Sequence, residues 1–160
     1  MTKPAPTPLY NEFTFFLKKY FPYKVQKISL NAGFTCPNID GKVGYNGCIY
    51  CSKTGSGEFG GNPKEDLIKQ FEEVKKMMER KWPHSKYIGY FQARTNTYAP
   101  LAILKQKYET ILKLDNVVGL AIATRPDAIS DECLQYLSDL NKRTFLTVEL
   151  GLQTIHEKTT

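Results

Sequence analysis

The stretch Val117-Val-Gly-Leu-Ala-Ile-Ala-Thr124 is apolar almost throughout, and it has the length of a strand. A strand that alternates buries one face; one that does not alternate buries both, as in a parallel sheet covered by helices. Just before it, residues 100 to 114 align Leu101, Leu104, Tyr108 and Ile111 at helical spacing. Just after it, residues 130 to 140 open on a capping serine, Ser130, and turn Leu134, Leu137 and Leu140 inward. Short runs rich in β-branched and aromatic residues at Val25–Leu30, 87 to 92 and Phe145–Leu150 give three more strands. Asn62-Pro63 has the form of a helix start, followed by Leu67, Phe71, Val74 and Met78 on one face and a stop at Trp82-Pro83. Residues 10 to 20 make a short amphipathic helix, and another is expected to begin near Ile155.

Single strands alternating with helices define βαβ units and a parallel sheet. Right-handed crossovers would curl four such units into about half of a β/α barrel. The expected class is therefore α/β, a partial (β/α) barrel with about four parallel strands. Residues 1–9, with their three spaced prolines, are expected to be a disordered tail. Residues 10–160 form one domain, which stops before the fourth strand's covering helix is complete and so reads as the front half of something longer.

Composition narrows the setting. No apolar run approaches the roughly 20 residues that span a bilayer, and the start lacks the pattern of a secretory signal. Four cysteines without such a signal point to reduced thiols in the cytoplasm. The formal charge of +6 attracts polyanions only weakly, and the charges of residues 64 to 81 mix both signs as on a solvated helix face.

The chemistry concentrates in one loop. Cys36, Cys48 and Cys51 lie on the stretch that also holds eight of the eleven glycines, and glycine allows the close approach and sharp turns that wrapping a metal centre needs. Three thiolates are one short of the four that close a [4Fe–4S] site, which leaves one iron open. A zinc site with a distant fourth ligand (His84, His156 or Cys133) is the competing reading, while Cys133 on its helix reads as a small buried apolar residue. In parallel β/α architectures the βα loops gather at the carboxyl ends of the strands. Three further loops there are polar: Gln92-Ala-Arg-Thr-Asn-Thr-Tyr98, Thr124-Arg-Pro-Asp127 and Glu149-Leu-Gly-Leu-Gln153. Within them Arg125 and Asp127 either pair around the proline or face a ligand. Gln92, Thr95 and Asn96 either cap the next helix or line a site, and Glu149 is placed as a ligand-binding carboxylate.

These residues together resemble the radical S-adenosylmethionine (radical SAM) enzymes. The cysteine loop, with Tyr50 just before the last cysteine and eleven residues between Cys36 and Cys48, is similar to a bacterial branch called YhcC-like, related to the catalytic subunit of Elongator. The likeness runs in order through Cys36-Pro-Asn-Ile-Asp-Gly41, Phe91-Gln92, Thr95-Asn-Thr-Tyr-Ala-Pro100, Thr124-Arg-Pro-Asp127 and Glu149-Leu-Gly-Leu-Gln153. It implies a [4Fe–4S] cluster on Cys36, Cys48 and Cys51, its open iron chelated by S-adenosylmethionine. Reductive cleavage of that cofactor would give a 5′-deoxyadenosyl radical that abstracts hydrogen from a substrate. It also implies Tyr50 near the adenine, Gln92, Thr95 and Asn96 near the methionine end, Glu149 near the ribose or methionine groups, and Arg125 as a positive fork for a carboxylate or substrate. A flavodoxin- or ferredoxin-like donor would supply the electron, and RNA is a candidate substrate by kinship with Elongator. The alternative is a non-catalytic fragment held by a cluster or zinc, or an RNA-binding or assembly module. Longer members complete the barrel, so the resemblance marks this chain as a truncated, amino-terminal half whose open sheet would self-associate or take a complementing chain.

Overall fold

The computed structural model describes residue 10 and residues 12–55, 60–152 and 154–156. The expected tail at residues 1–9, Gln153 and most of the helix expected after Ile155 lie outside them. Four strands, β1 (Val25–Leu30), β2 (Lys86–Phe91), β3 (Val117–Thr124) and β4 (Phe145–Leu150), form one sheet in sequential order, every neighbouring pair parallel. The α/β class and the parallel sheet are thus as expected. Helix α1 (Phe13–Leu17) precedes β1, and α2 (Leu67–Glu79), α3 (Leu101–Leu112) and α4 (Asp131–Asn141) form the crossovers.

The crossover helices cover one face. Ile28, Leu30, Tyr87, Phe91, Leu120 and Ile122 from the strands pack against Leu67, Phe71, Leu104, Tyr108, Ile111, Leu137 and Leu140 from the helices. Gly89 lets α3 come this close, since a Cβ there would sit 2.5 Å from the Ile111 methyl. The other face holds a smaller core in which Leu17 of α1 and Ile88 and Ala121 of the sheet are packed by Phe21, Val25, Tyr90 and Phe145. Burial on both faces explains the unbroken apolar run of β3.

The sheet curls toward α1. Lys27 of β1 forms an ion pair with Glu149 of β4, although these strands are the two edges. In a flat sheet their axes would stand roughly 14 Å apart, so the contact requires the concave curvature expected of a partial barrel. The Lys27 ammonium crosses that hollow over the rings of Tyr90 (4.4 Å) and Phe13 (4.8 Å), which favour a cation by their face quadrupoles.

Two local expectations are corrected. Helix α2 begins four residues late, because the Asp66 carboxylate accepts from the amides of Ile68 (2.8 Å) and Lys69 (3.3 Å) and so caps it better than Asn62 could. Asn62 instead closes a turn, its Oδ1 accepting from Lys64 N at 3.1 Å. On α4, Leu134 is exposed and Cys133 takes its inward place, while Ser130 caps the helix as expected by accepting from Cys133 N.

The cysteine loop leaves β1 at Asn31 and returns at Asn62, and one side chain ties both ends. Gln70 of α2 is buried; it accepts from Asn31 N (2.9 Å) and donates to the carbonyls of Asn31 (3.0 Å), Asn62 (2.9 Å) and Glu65 (3.0 Å). Replacing the buried Gln70 with Ala leaves these groups without their shared partner and is expected to cost about 1–3 kcal/mol. A urea unfolding midpoint equal to that of the wild type would show that water takes over those bonds.

Candidate functional site

The residues between Cys36 and Cys48 fold back on themselves. Ile39 N and Asp40 N donate to the Cys36 carbonyl, Val43 N and Gly44 N to that of Pro37, and Gly47 N to that of Asn38. This self-bonded excursion returns Cys48 to the side of Asn38, whose amide Nδ2 donates to the Cys48 sulfur at 2.8 Å. Cys51 follows on a turn, its amide donating to the Cys48 carbonyl, and its side chain also reaches the Cys48 thiol.

The third βα loop holds this arrangement from across the rim. Arg125 donates through Nε and Nη2 to the two oxygens of Asp127, at 2.9 and 2.7 Å, and through Nη1 to Asn38 Oδ1 at 2.6 Å. Its guanidinium also reaches the Cys36 side chain. The pairing with Asp127 expected as one option is therefore present. The fork offered to an incoming carboxylate is filled from within the chain, and Arg125 points its charge at the thiols.

That surrounding favours thiolate at Cys48. The Tyr50 hydroxyl, hydrogen-bonded to its sulfur, lowers the thiol's pKa most, and Asn38, Arg125 and Cys51 lower it further against the opposing effect of burial. The same contact pushes Tyr50 up to about 12, so its hydroxyl remains a donor. Asp127 is held below the usual carboxylate range by its bonds to Arg125. Cys133 moves the other way: it is 1% exposed and burial raises its pKa.

The second βα loop braces the cysteine loop on its other arm. Ala93 and Arg94 both have left-handed backbone, φ 61° and 65°, a conformation that costs non-glycine residues energy and is held here by neighbours. Arg94 extends from that bend to donate to the Lys53 carbonyl, passing so close to Gly55 that a Cβ there would lie 2.7 Å from its Cδ. Thr95 N donates to the Thr35 carbonyl. Asn96 is fully buried; its Nδ2 donates to the carbonyls of Ala93 (3.1 Å) and Ala123 (2.8 Å), while its Oδ1 has no hydrogen-bond partner among the described residues. The helix-capping option for Gln92, Thr95 and Asn96 is not realised, since Pro100 stands at the N-cap of α3 without a side-chain bond. Gln92 is half-buried at the end of β2, its amide donating to the Leu30 carbonyl.

The fourth loop joins less directly. Gly151 N donates to the Thr124 carbonyl. Glu149 points into the concave hollow, where Lys27 pairs with it and the Tyr90 hydroxyl hydrogen-bonds it; burial first, and then this bond, push Tyr90 up to about 12. Tyr50, Arg125 and the three cysteines thus form one connected group, Thr95 and Asn96 form its buried footing, and Glu149 belongs to a neighbouring charged cluster. The sequence reading missed Asn38, Arg94, Lys27 and Tyr90. The last two share strands with other polar residues, Gln26 and Ser29 in β1 and Lys86 and Tyr87 in β2, so no local signal singled them out.

Among the described residues no disulfide joins the cysteines. Among the described residues no three His, Cys, Asp or Glu side chains are gathered tightly enough to hold a metal ion as they stand. The donor set nevertheless fits a soft metal centre: three half-buried thiols on one loop, with an amide and a guanidinium placed to offset thiolate charge. Two fourth ligands of the zinc reading are elsewhere: Cys133 is in the core under α4 and His84 precedes β2 at the opposite end of the strands. His156 is exposed.

No family model matches the sequence, and no solved structure matches it. Among curated proteins it is 53% identical over 150 residues to the uncharacterized protein YtqA of Bacillus subtilis (strain 168). It is 34% identical over 152 residues to protein YhcC of Escherichia coli (strain K12), and 33% over 154 residues to the uncharacterized protein MJ0486 of Methanocaldococcus jannaschii. These matches take in 94% of this chain and 47%, 48% and 46% of the respective relatives. The chain spans about half the length of the curated relatives it matches.

The electrostatics predict an order of thiol reactivity. In the apo protein at neutral pH, iodoacetamide should label Cys48 well before Cys133, with the Cys48 rate falling only as pH drops through its lowered pKa. Peptide mapping that finds Cys133 labelled first would overturn this account of the loop.

Proposed function

We propose that the chain is the cluster-binding, amino-terminal part of a radical SAM enzyme, its sheet a partial barrel of that type. The observation that carries the reading is the grouping of Cys48 with Cys51, Asn38, Tyr50 and Arg125 at the carboxyl ends of a parallel sheet. Cys36, Cys48 and Cys51 would hold a [4Fe–4S] cluster with one iron open to S-adenosylmethionine. When bound and reduced, that cluster supplies the electron that cleaves S-adenosylmethionine to methionine and a 5′-deoxyadenosyl radical for hydrogen abstraction.

The chain's own residues supply the setting. Asn38 and Arg125 offset the negative charge of the thiolates, and Arg94 and Gln70 fix the two arms of the loop. Tyr50, 57% exposed beside Cys48, offers a ring face on which an adenine can stack. Gln92, half-buried just past β2, would meet the methionine end of the cofactor, with Thr95 and Asn96 buried behind it. Glu149 would meet its ribose or methionine groups, exchanging Lys27 for the ligand. The electron would come from a flavodoxin- or ferredoxin-like donor, with RNA a candidate substrate and the cytoplasm the expected location. Among the described residues no helix is long and apolar enough to cross a membrane.

Anaerobic reconstitution with iron and sulfide, followed by electron paramagnetic resonance of the reduced protein, tests the proposal. A reduced-cluster signal that changes on adding S-adenosylmethionine is expected. One zinc and no iron, or a signal indifferent to the cofactor, would sink it. Cys48→Ala should lose the cluster and Cys133→Ala should keep its full iron content; equal loss in both would mean that the ligand set is wrong.

A further inference from the structure

Asn38 stands between two charged systems. Its Nδ2 donates to the Cys48 sulfur at 2.8 Å, and its Oδ1 accepts from Arg125 Nη1 at 2.6 Å. Two parallel bonds tie the other nitrogens of Arg125 to Asp127. The Asn38 carbonyl also accepts from Gly47 N, so the residue's backbone is fixed by the residue just before Cys48. The orientation of the amide is set by this chemistry. A guanidinium has only donors, so the amide oxygen must face Arg125 and the NH₂ must face the sulfur.

We infer that Asn38 is the positioning residue for Cys48, passing the fixed Arg125–Asp127 pair to the sulfur as one oriented N–H···S hydrogen bond that eases reduction of whatever iron centre Cys48 ligates. The inference rests on the cluster reading above and goes beyond it, by naming the side chain that tunes the centre. A hydrogen bond donated to a ligating sulfur stabilises the more negative, reduced state more than the oxidised one. Polarisation by Arg125 strengthens the donor, as in any chain of hydrogen bonds with a charge at its head. Tyr50 and Arg125 also approach these thiols. Asn38 alone of the three touches both the sulfur and the charged pair in a single rigid amide, and the third loop's Arg125 and Asp127 thereby gain a role that no incoming ligand is needed to explain.

The test uses the reconstituted chain and two variants, Asn38→Ala and Asn38→Leu. Both delete the donor without adding charge, and the leucine preserves the bulk should the alanine variant fail to fold. The midpoint potential of the cluster is measured by spectroscopic titration without S-adenosylmethionine, and iron retention is measured against a chelator. At a fixed potential the reduced fraction relative to the oxidised should fall about tenfold in either variant, the scale of one charge-assisted hydrogen bond. Asp127→Asn, which loosens the Arg125 fork and leaves the amide in place, should shift the ratio the same way by less. Wild-type potentials in both Asn38 variants would overturn the inference while leaving the cluster reading intact. A wild-type chain that takes up no iron would instead overturn the cluster reading and this inference with it.

Discussion

Parallel pairing is the constraint on which everything else here depends. Four strands that all run the same way cannot be joined by tight turns, so each must be followed by a crossover, and each crossover must start at the same end of the sheet. That single fact delivers the cysteine loop, the Gln92–Tyr98 segment, the Thr124–Asp127 segment and the end of β4 to one rim. Joined with the sequential strand order and right-handed crossovers, it also puts α2, α3 and α4 on one face, leaving the opposite face for α1 and for the polar hollow of Lys27, Tyr90 and Glu149.

A rim of loops does not by itself make a site, because loops are where backbone is least restrained. Here the restraint comes from polar side chains that cross between loops. Gln70 ties the two ends of the cysteine loop to α2, Arg94 holds its later arm, and Arg125 holds its earlier arm through Asn38. The strained backbone at Ala93 and Arg94 is tolerable because Asn96, buried beneath it, bonds the Ala93 carbonyl and the end of β3. Each of these contacts is modest in water, but at half-buried positions with several bonds per side chain they act together. The eleven residues between Cys36 and Cys48 look too long for a metal loop when written out. Folded on their own amides, they bring the two cysteines to one arginine.

The edges of the sheet carry a different lesson. Val148 and Leu150 of β4 are 38% and 54% exposed, and Leu152 beyond them is 69% exposed, in a chain that spans about half the length of its curated relatives. On the concave side the same strand is not bare: Phe145 packs against Phe21 and the ring of Tyr20, and Glu149 is tied to Lys27 on the far edge. The curl of the sheet thus brings its two edges and α1 together across the hollow.

Sequence alone determined the strands, the crossover helices and the α/β class, while the first helix, expected over residues 10 to 20, spans only Phe13–Leu17. Those follow from periodicity and length, which are local and repeat over many residues; the bounds of β1, β3 and β4 were readable for that reason. It was less able to place helix starts, where Asn62 and Asp66 are both good caps and only packing decides between them. It also nominated Cys36, Cys48, Cys51 and Arg125, because cysteine spacing and a polar run at a strand end are visible in one dimension; Tyr50 came from the resemblance alone. What only the tertiary structure decided was partnership. That Arg125 reaches Asn38 beyond its local partner Asp127, that Glu149 meets Lys27, and that Asn38 is the residue touching Cys48 depend on contacts between positions 10 to 122 residues apart. No local pattern encodes such distances; they arise when the sheet curls and brings its separate loops within a hydrogen bond of each other.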